Sequence, residues 1–219
     1  MRKMWIYVGI GAIFAAVAVT LFLALRPAPN MGADGQPVAS GAGAQPTAED
    51  FVLGDPNAPV TMIEYASLTC PHCANFHNTI LPTLESDYIK TGKVKLVFRD
   101  FPLDGIALRA AALARCAGPE RYHGFVKVLF RSQAEWAASP NPMTALERVA
   151  KLGGIDETRF TACTRDEKVL DQILASRQEA ERTFQVNSTP TFIIQGRKYT
   201  GSLTLDGLRE ILDSLAKGS

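Results

Sequence analysis

The sequence carries almost no surplus charge. Its 23 Lys+Arg stand against 22 Asp+Glu, a net +1, so it lacks both the basic footprint of a nucleic-acid binder and a field that would draw a strongly acidic partner. Histidine is scarce, at three residues, and cysteine stops at four. There is one CxxC, no second one and no His cluster, which leaves a structural zinc site without a fourth ligand. No internal repeat runs along the chain. What is present is 219 residues, 47% hydrophobic, enough for one domain with a core of its own.

Charge is also missing locally. After Arg2 and Lys3, the stretch "MWIYVGIGAIFAAVAVTLFLAL" from Met4 to Leu25 is uncharged, and as a helix it would span roughly 33 Å, about one bilayer core. The small-residue pairs that could mark a cleavage site lie inside the run, so residues 1–25 read as a retained transmembrane anchor, with a cleaved signal segment as the alternative. The basic end belongs in the cytoplasm and the body outside. Residues 26–50 are Pro, Gly, Ala and Ser with few large apolar side chains, the composition of a flexible linker. The working domain is therefore expected over 51–219.

Within it, "VTMIEYA" at 60–66 reads as a strand. Phe76, Ile80, Leu84 and Tyr88 then recur at helical spacing, with Pro82 expected to kink the helix. "VKLVFRDF" at 94–101 is a second strand. From about 105 to 184 five helical segments follow one another, separated by Gly, Pro or Asp. "TPTFIIQGRKYTG" is a hairpin turning near Gln195–Gly196, and a helix closes the chain over about 204–217. The order β–α–β, helical block, β–β–α is that of an α/β thioredoxin fold interrupted by an inserted helical subdomain.

The CxxC falls where the first helix begins. A thiolate at Cys70 would meet unpaired N–H groups and the positive end of the helix dipole, and its pKa would drop below the free value of about 8.5. Pro71 suits the first turn because its missing N–H has no partner there. His72, between the cysteines, can add positive charge or a hydrogen bond. Cys73, one turn on, is expected to be the shielded sulfur and Cys70 the exposed one. With a Cys70 pKa near 4, the reduced form would gain about 4 kcal/mol at pH 7, raising the potential by on the order of 90 mV. Two other readings of the pair remain: a static disulfide, or zinc ligands using the Cys70-x2-Cys73-x3-His77 spacing. Cys116 and Cys163 are either a structural bridge, favoured outside the cytoplasm, or two buried free thiols. His77 and His123 read as surface or helix-packing residues. Asn187–Thr189 matches a glycosylation sequon that active-site crowding makes accidental.

"EYASLTCPHCANF" resembles the active-site segment of the DsbA-type thiol–disulfide oxidoreductases, which share C-P-H-C. "VFRDFPL", the helical insertion and "STPT" at 188–191 extend the resemblance over nearly all of 51–219. It implies that Cys70 is the nucleophile and Cys73 the resolving thiol. It also implies that Thr189–Pro190 forms a cis-proline loop that receives substrate backbone, and that Glu64 is a buried acid relaying the Cys73 proton, where otherwise it would be a solvent-facing strand residue. A second cysteine pair, here Cys116 and Cys163, is frequent among anchored relatives. The resemblance further implies reduced secreted proteins as substrates, a DsbB-like membrane quinone reductase as redox partner, and the periplasmic side of the bacterial inner membrane as location. No cofactor or metal is implied, since the cysteines carry the electrons. Rival readings are an isomerase or reductase on the same fold, and a tethered metal-handling assembly factor.

Overall fold

The computed structural model describes residues 35–37 and 44–216. The expected membrane anchor at 4–25 and much of the expected linker lie outside the described residues. Among the described residues no helix is long and apolar enough to cross a membrane.

Six described strands form one sheet: β1 (Gln36–Pro37), β2 (Val52–Leu53), β3 (Val60–Ala66), β4 (Val94–Asp100), β5 (Thr191–Ile194) and β6 (Arg197–Thr200), in the order β1-β6-β5-β3-β4-β2. β3 and β4 run parallel, as a strand–helix–strand crossover requires, and the remaining pairings are antiparallel. Both faces of the sheet are covered, so all seven residues of β3 are buried. Val60 and Met62 share one face with Phe192 and Ile194 of β5, while Ile63 and Tyr65 share the other with Ile193 and Val97. Alternation along the strand puts Glu64 on the Met62 side, facing the first helix. The hairpin turns at Gln195–Gly196 with φ of 45° and 75°, the positive-φ pair that a two-residue turn between twisted strands demands.

The first helix is α1 (Pro71–Asn75), continued through a wider π stretch (Phe76–Ile80), α2 (Leu81–Leu84) and a second π stretch (Glu85–Ile89). Where the sequence implies a kink at Pro82, the structure widens the preceding turn: Leu81 N–H reaches back five residues to the Phe76 carbonyl. A proline in an unbroken α-helix would strike the carbonyl four residues earlier, and the wider turn relieves that contact.

The inserted block contains α3 (Gly105–Cys116), α4 (Pro119–Arg131), α5 (Gln133–Trp136), α6 (Pro142–Leu152), α7 (Glu157–Thr164) and α8 (Glu167–Phe184); α9 (Leu205–Ala216) follows the hairpin. The Asp residues read as separators are N-caps. Asp104, Asp156 and Asp166 accept from the backbone N–H of Ala107, Arg159 and Val169. Ala110–Ala112 and Ala114 on α3 are buried among Leu129, Phe130, Leu146 and Trp136, small side chains that let neighbouring helices approach closely. The Trp136 indole donates to the Leu129 carbonyl at 2.9 Å, satisfying its one buried polar atom. Cys116, ending α3, is bonded to Cys163 of α7, with the Cα atoms 5.8 Å apart.

The folded body also reaches into the segment that composition assigns to the linker. Arg99 of β4 bonds both carboxylate oxygens of Asp50, at 3.0 and 2.7 Å, and the Gln45 carbonyl at 2.8 Å. It also donates to the Tyr65 hydroxyl at 3.0 Å. Residues 44–50 are thus held by polar contacts, which a scan for large apolar side chains does not register.

The Cys116–Cys163 bridge closes a loop of 47 positions, for which the chain-entropy model gives about 4 kcal/mol. Replacing both cysteines by serine is expected to lower unfolding free energy in urea by about that amount, with the slope rising as the unfolded chain expands. An unchanged midpoint would show that the bridge contributes nothing.

Candidate active site

β3 ends at Ala66, and a tight turn delivers the chain to Cys70. The Cys70 N–H donates to the Ser67 carbonyl at 3.0 Å. Thr69 Oγ1 donates to the Asp104 carboxylate at 2.7 Å, tying this turn to the N-cap of α3. From α5, the Gln133 side-chain amide donates to the Leu68 and Cys70 carbonyls at 2.8 and 3.0 Å. Cys70 is the N-cap of α1, extended at φ −78° and ψ 120°, and Pro71 opens the helix. Gln133 is a site residue that nothing in its sequence neighbourhood announces.

Both active-site cysteines are free thiols. Cys70 is 6% exposed and Cys73 fully buried, so the expectation of an openly exposed Cys70 is corrected. It is the more accessible of two enclosed sulfurs, because the turn carrying Thr189 lies against it. A hydrogen bond from the Cys73 thiol brings the Cys70 pKa down to about 5, against the opposing pull of burial, and the backbone N–H groups of Cys73 and His72 assist. What His72 supplies to the sulfur is thus its main-chain donor, while its side chain is exposed. Cys73 moves the other way. Burial pushes its thiol far above the ordinary range, the bond it gives to Cys70 adds to this, and the negative charge of Glu64 adds further.

The Thr189–Pro190 peptide is cis, and the Cys70 thiol donates to the Thr189 carbonyl at 3.4 Å. The Thr191 hydroxyl donates to the Ser188 carbonyl at 2.8 Å and Gly201 N–H to the Pro190 carbonyl at 2.9 Å, which fixes this loop to the start of the hairpin. The structure therefore brings Cys70, Cys73 and Thr189–Pro190 together. Cys116 and Cys163 belong to the helical block instead.

Beneath the cysteines Glu64 is fully buried, which excludes the solvent-facing reading. Its Oε2 lies 2.8 Å from His77 Nε2. His77 is buried as well and stacks on Phe130, with centroids 4.2 Å apart. It is a packing residue, as its sequence context implies, but one with an acidic partner that the sequence reading missed. The usable signal was its spacing: four residues after Cys73 on one helix, it shares the face of Cys73. Among the described residues no three His, Cys, Asp or Glu side chains group to hold a metal.

The family model for thioredoxin matches residues 46–214. A Rickettsia felis protein, provisionally named a protein-disulfide oxidoreductase, is 33% identical over 165 residues, 75% of this chain. The chain spans only 59% of that relative's length. The crystal structure of Wolbachia pipientis alpha-DsbA1 superposes with a TM-score of 0.75 at 35% identity, covering 80% of this chain and 94% of that one. A protein-disulfide isomerase from Novosphingobium aromaticivorans gives 0.67 at 25% identity, with 76% and 97% covered.

Alkylation of the reduced protein by iodoacetamide is expected to be confined to Cys70 and to be half-maximal near pH 5. Cys73 is expected to stay unlabelled up to about pH 9. A Cys70 midpoint at or above the free-thiol value of about 8.5 would mean that the helix start does not stabilise the thiolate.

Proposed function

The chain belongs to the thioredoxin-like family of DsbA-type thiol–disulfide oxidoreductases, and from that premise we propose that it is a protein dithiol oxidase. A substrate thiolate attacks the Cys70 sulfur of the Cys70–Cys73 disulfide. The bond between the cysteines breaks, Cys73 leaves with its electron pair and takes up a proton, and a mixed disulfide to Cys70 forms. A second substrate thiolate then attacks the substrate sulfur of that bond and releases Cys70 as a thiolate. The substrate loses two electrons and gains a disulfide; the protein gains two electrons and is reduced.

The single observation that carries this reading is the opposed displacement of the two thiols, Cys70 lowered to about 5 and Cys73 raised. At pH 7 a thiol two units below that pH favours its thiolate by about 2.7 kcal/mol, and about 2 once screening by nearby solvent is allowed for. That favours the reduced form and raises the potential by on the order of 40 mV, less than the 90 mV that a pKa of 4 would give. The sign fixes the window. The preference for the reduced form grows as pH rises above the folded value near 5, reaches its full extent above the ordinary thiol value, and vanishes as pH falls through 5.

In this reading Glu64 relays the Cys73 proton, and the Thr189–Pro190 loop receives extended substrate backbone beside Cys70. The substrates are reduced secreted proteins, donation occurs on the periplasmic side of the bacterial inner membrane, and a DsbB-like quinone reductase reoxidises the pair. The stretch Met4–Leu25 serves as anchor or cleaved signal. The Cys116–Cys163 bridge acts as a structural brace. A second reading, isomerase, draws on the likeness to the Novosphingobium protein, and differs in needing the pair kept reduced.

Equilibration of the full chain with glutathione gives the Cys70–Cys73 potential. A value well above the thioredoxin potential of about −270 mV is expected. A value near −270 mV would overturn the oxidase reading and assign the site to reductive work.

A further inference from the structure

Glu64 and His77 come from different elements, β3 and the π stretch after α1, and meet at 2.8 Å with side chains 0% and 3% exposed. Each keeps one buried polar atom without a protein partner, Glu64 Oε1 and His77 Nδ1. The imidazole has little room to swing. It stacks on Phe130, and Phe76 and Phe98 meet it edge-on with centroids at 5.4 and 5.5 Å. Two ionisable groups so enclosed are an expensive way to fill a core, since an apolar pair of similar volume would serve packing as well or better. Something beyond packing accounts for them.

That something lies one turn up the helix. The charge of Glu64 opposes ionisation of Cys73, so carboxylate and Cys73 thiolate cannot both carry charge at low energy. Yet opening the Cys70–Cys73 bond must release Cys73 as a thiolate. On the oxidase reading given above, we propose that His77 is the positioning residue for Glu64, and that the two hold one shared proton that passes to Cys73 when the disulfide opens and returns when it closes.

The charges balance throughout. In the oxidised protein the proton resides on the His77 ring, as imidazolium against the Glu64 carboxylate. Substrate attack breaks the disulfide, Cys73 leaves with the bond's electron pair, and the pair's proton joins its sulfur. One negative charge then remains on Glu64, fixed through Oε2 by a neutral His77. On reoxidation, an oxidising disulfide first forms a mixed disulfide with Cys70. Cys73 gives its proton back to the pair as its sulfur attacks Cys70 and expels the reduced oxidant.

The groups facing this pair do not compete for the proton. From α4, burial brings the His123 pKa down to about 4, keeping it neutral, and burial likewise pushes the Tyr122 phenol well above its ordinary value. From α1 the Cys73 thiol faces the Glu64 charge, and β4 and β5 pair the apolar residues Phe98 and Phe192 with Glu64.

Two measurements on the full chain test this. The first is the ¹⁵N chemical shift of the His77 ring nitrogens at one fixed pH, in the chemically oxidised and the dithiothreitol-reduced protein. The shifts are expected to move toward protonated-nitrogen values on oxidation. The second is the rate at which oxidised glutathione reoxidises the reduced pair, from about pH 5 to 8, in wild type and His77→Gln. Glutamine keeps an N–H donor for Glu64 but cannot take up or release a proton in this pH range. His77→Gln is expected to slow reoxidation by about tenfold and flatten its pH dependence, with the Cys70 alkylation profile unchanged. Ring shifts that do not follow redox state, or His77→Gln rates within about twofold of wild type, overturn the proposal. Should His77→Gln fail to fold, the wild-type ring shifts decide. A wild type unable to oxidise a dithiol peptide overturns the oxidase reading, while the ring shifts still report the coupling by themselves.

Discussion

At the start of α1 the N–H groups of His72 and Cys73 have no carbonyl to bond within the helix, and the sulfur of Cys70 lies where they point. Cys73 belongs to the same turn but is buried, so the helix that steadies one thiolate removes the other from water. The rest of the site depends on that difference. A chain that bound both sulfurs equally well would hold its disulfide or release it with no preference. Here the released form keeps its charge on Cys70 alone.

Keeping the helix start in place takes contacts from three directions. The end of β3 aims the chain, Thr69 ties the turn to Asp104, and Gln133 of the helical block grips the carbonyls of Leu68 and Cys70. The insertion therefore does more than enlarge the core. Its α5 clamps the catalytic turn, and its α4 supplies Phe130, the ring on which His77 stacks. Glu64 in turn depends on the sheet being covered on both faces, since a carboxylate on an open sheet would be hydrated and would exert little field on Cys73.

The parts of this arrangement that were legible in sequence are the local ones. A CxxC with proline at the first helical position marks its own helix start, Gln195–Gly196 marks its own turn, and an Asp before three helices of the insertion, α3, α7 and α8, marks a cap. The order of elements then follows from periodicity. The contacts that complete the site join residues far apart along the chain: Glu64 with His77 across a strand–helix boundary, Gln133 with Cys70, Arg99 with Asp50. No local pattern encodes them, because each partner alone looks like an ordinary surface residue. Asp50 and Gln45 escaped for the same reason, lying in a stretch whose composition suggests a tether. Family resemblance drew Glu64 into the site but was silent about His77, whose ring is visible as a partner only once the helix is laid on the sheet.

The groups that touch the reactive sulfur are mostly main-chain: the N–H groups of His72 and Cys73, and the Thr189 carbonyl. Atoms of the backbone are carried by whichever amino acid occupies the position. Substitution at 72 by any residue but proline, or at 189, leaves the main-chain N–H and carbonyl in place while the local fold persists, although the Thr189 side chain also helps to lower the Cys70 pKa. The main-chain share of the site's chemistry is thus insulated from side-chain mutation at these two positions. Side chains there can vary in size and polarity with those main-chain contacts to the sulfur still in place.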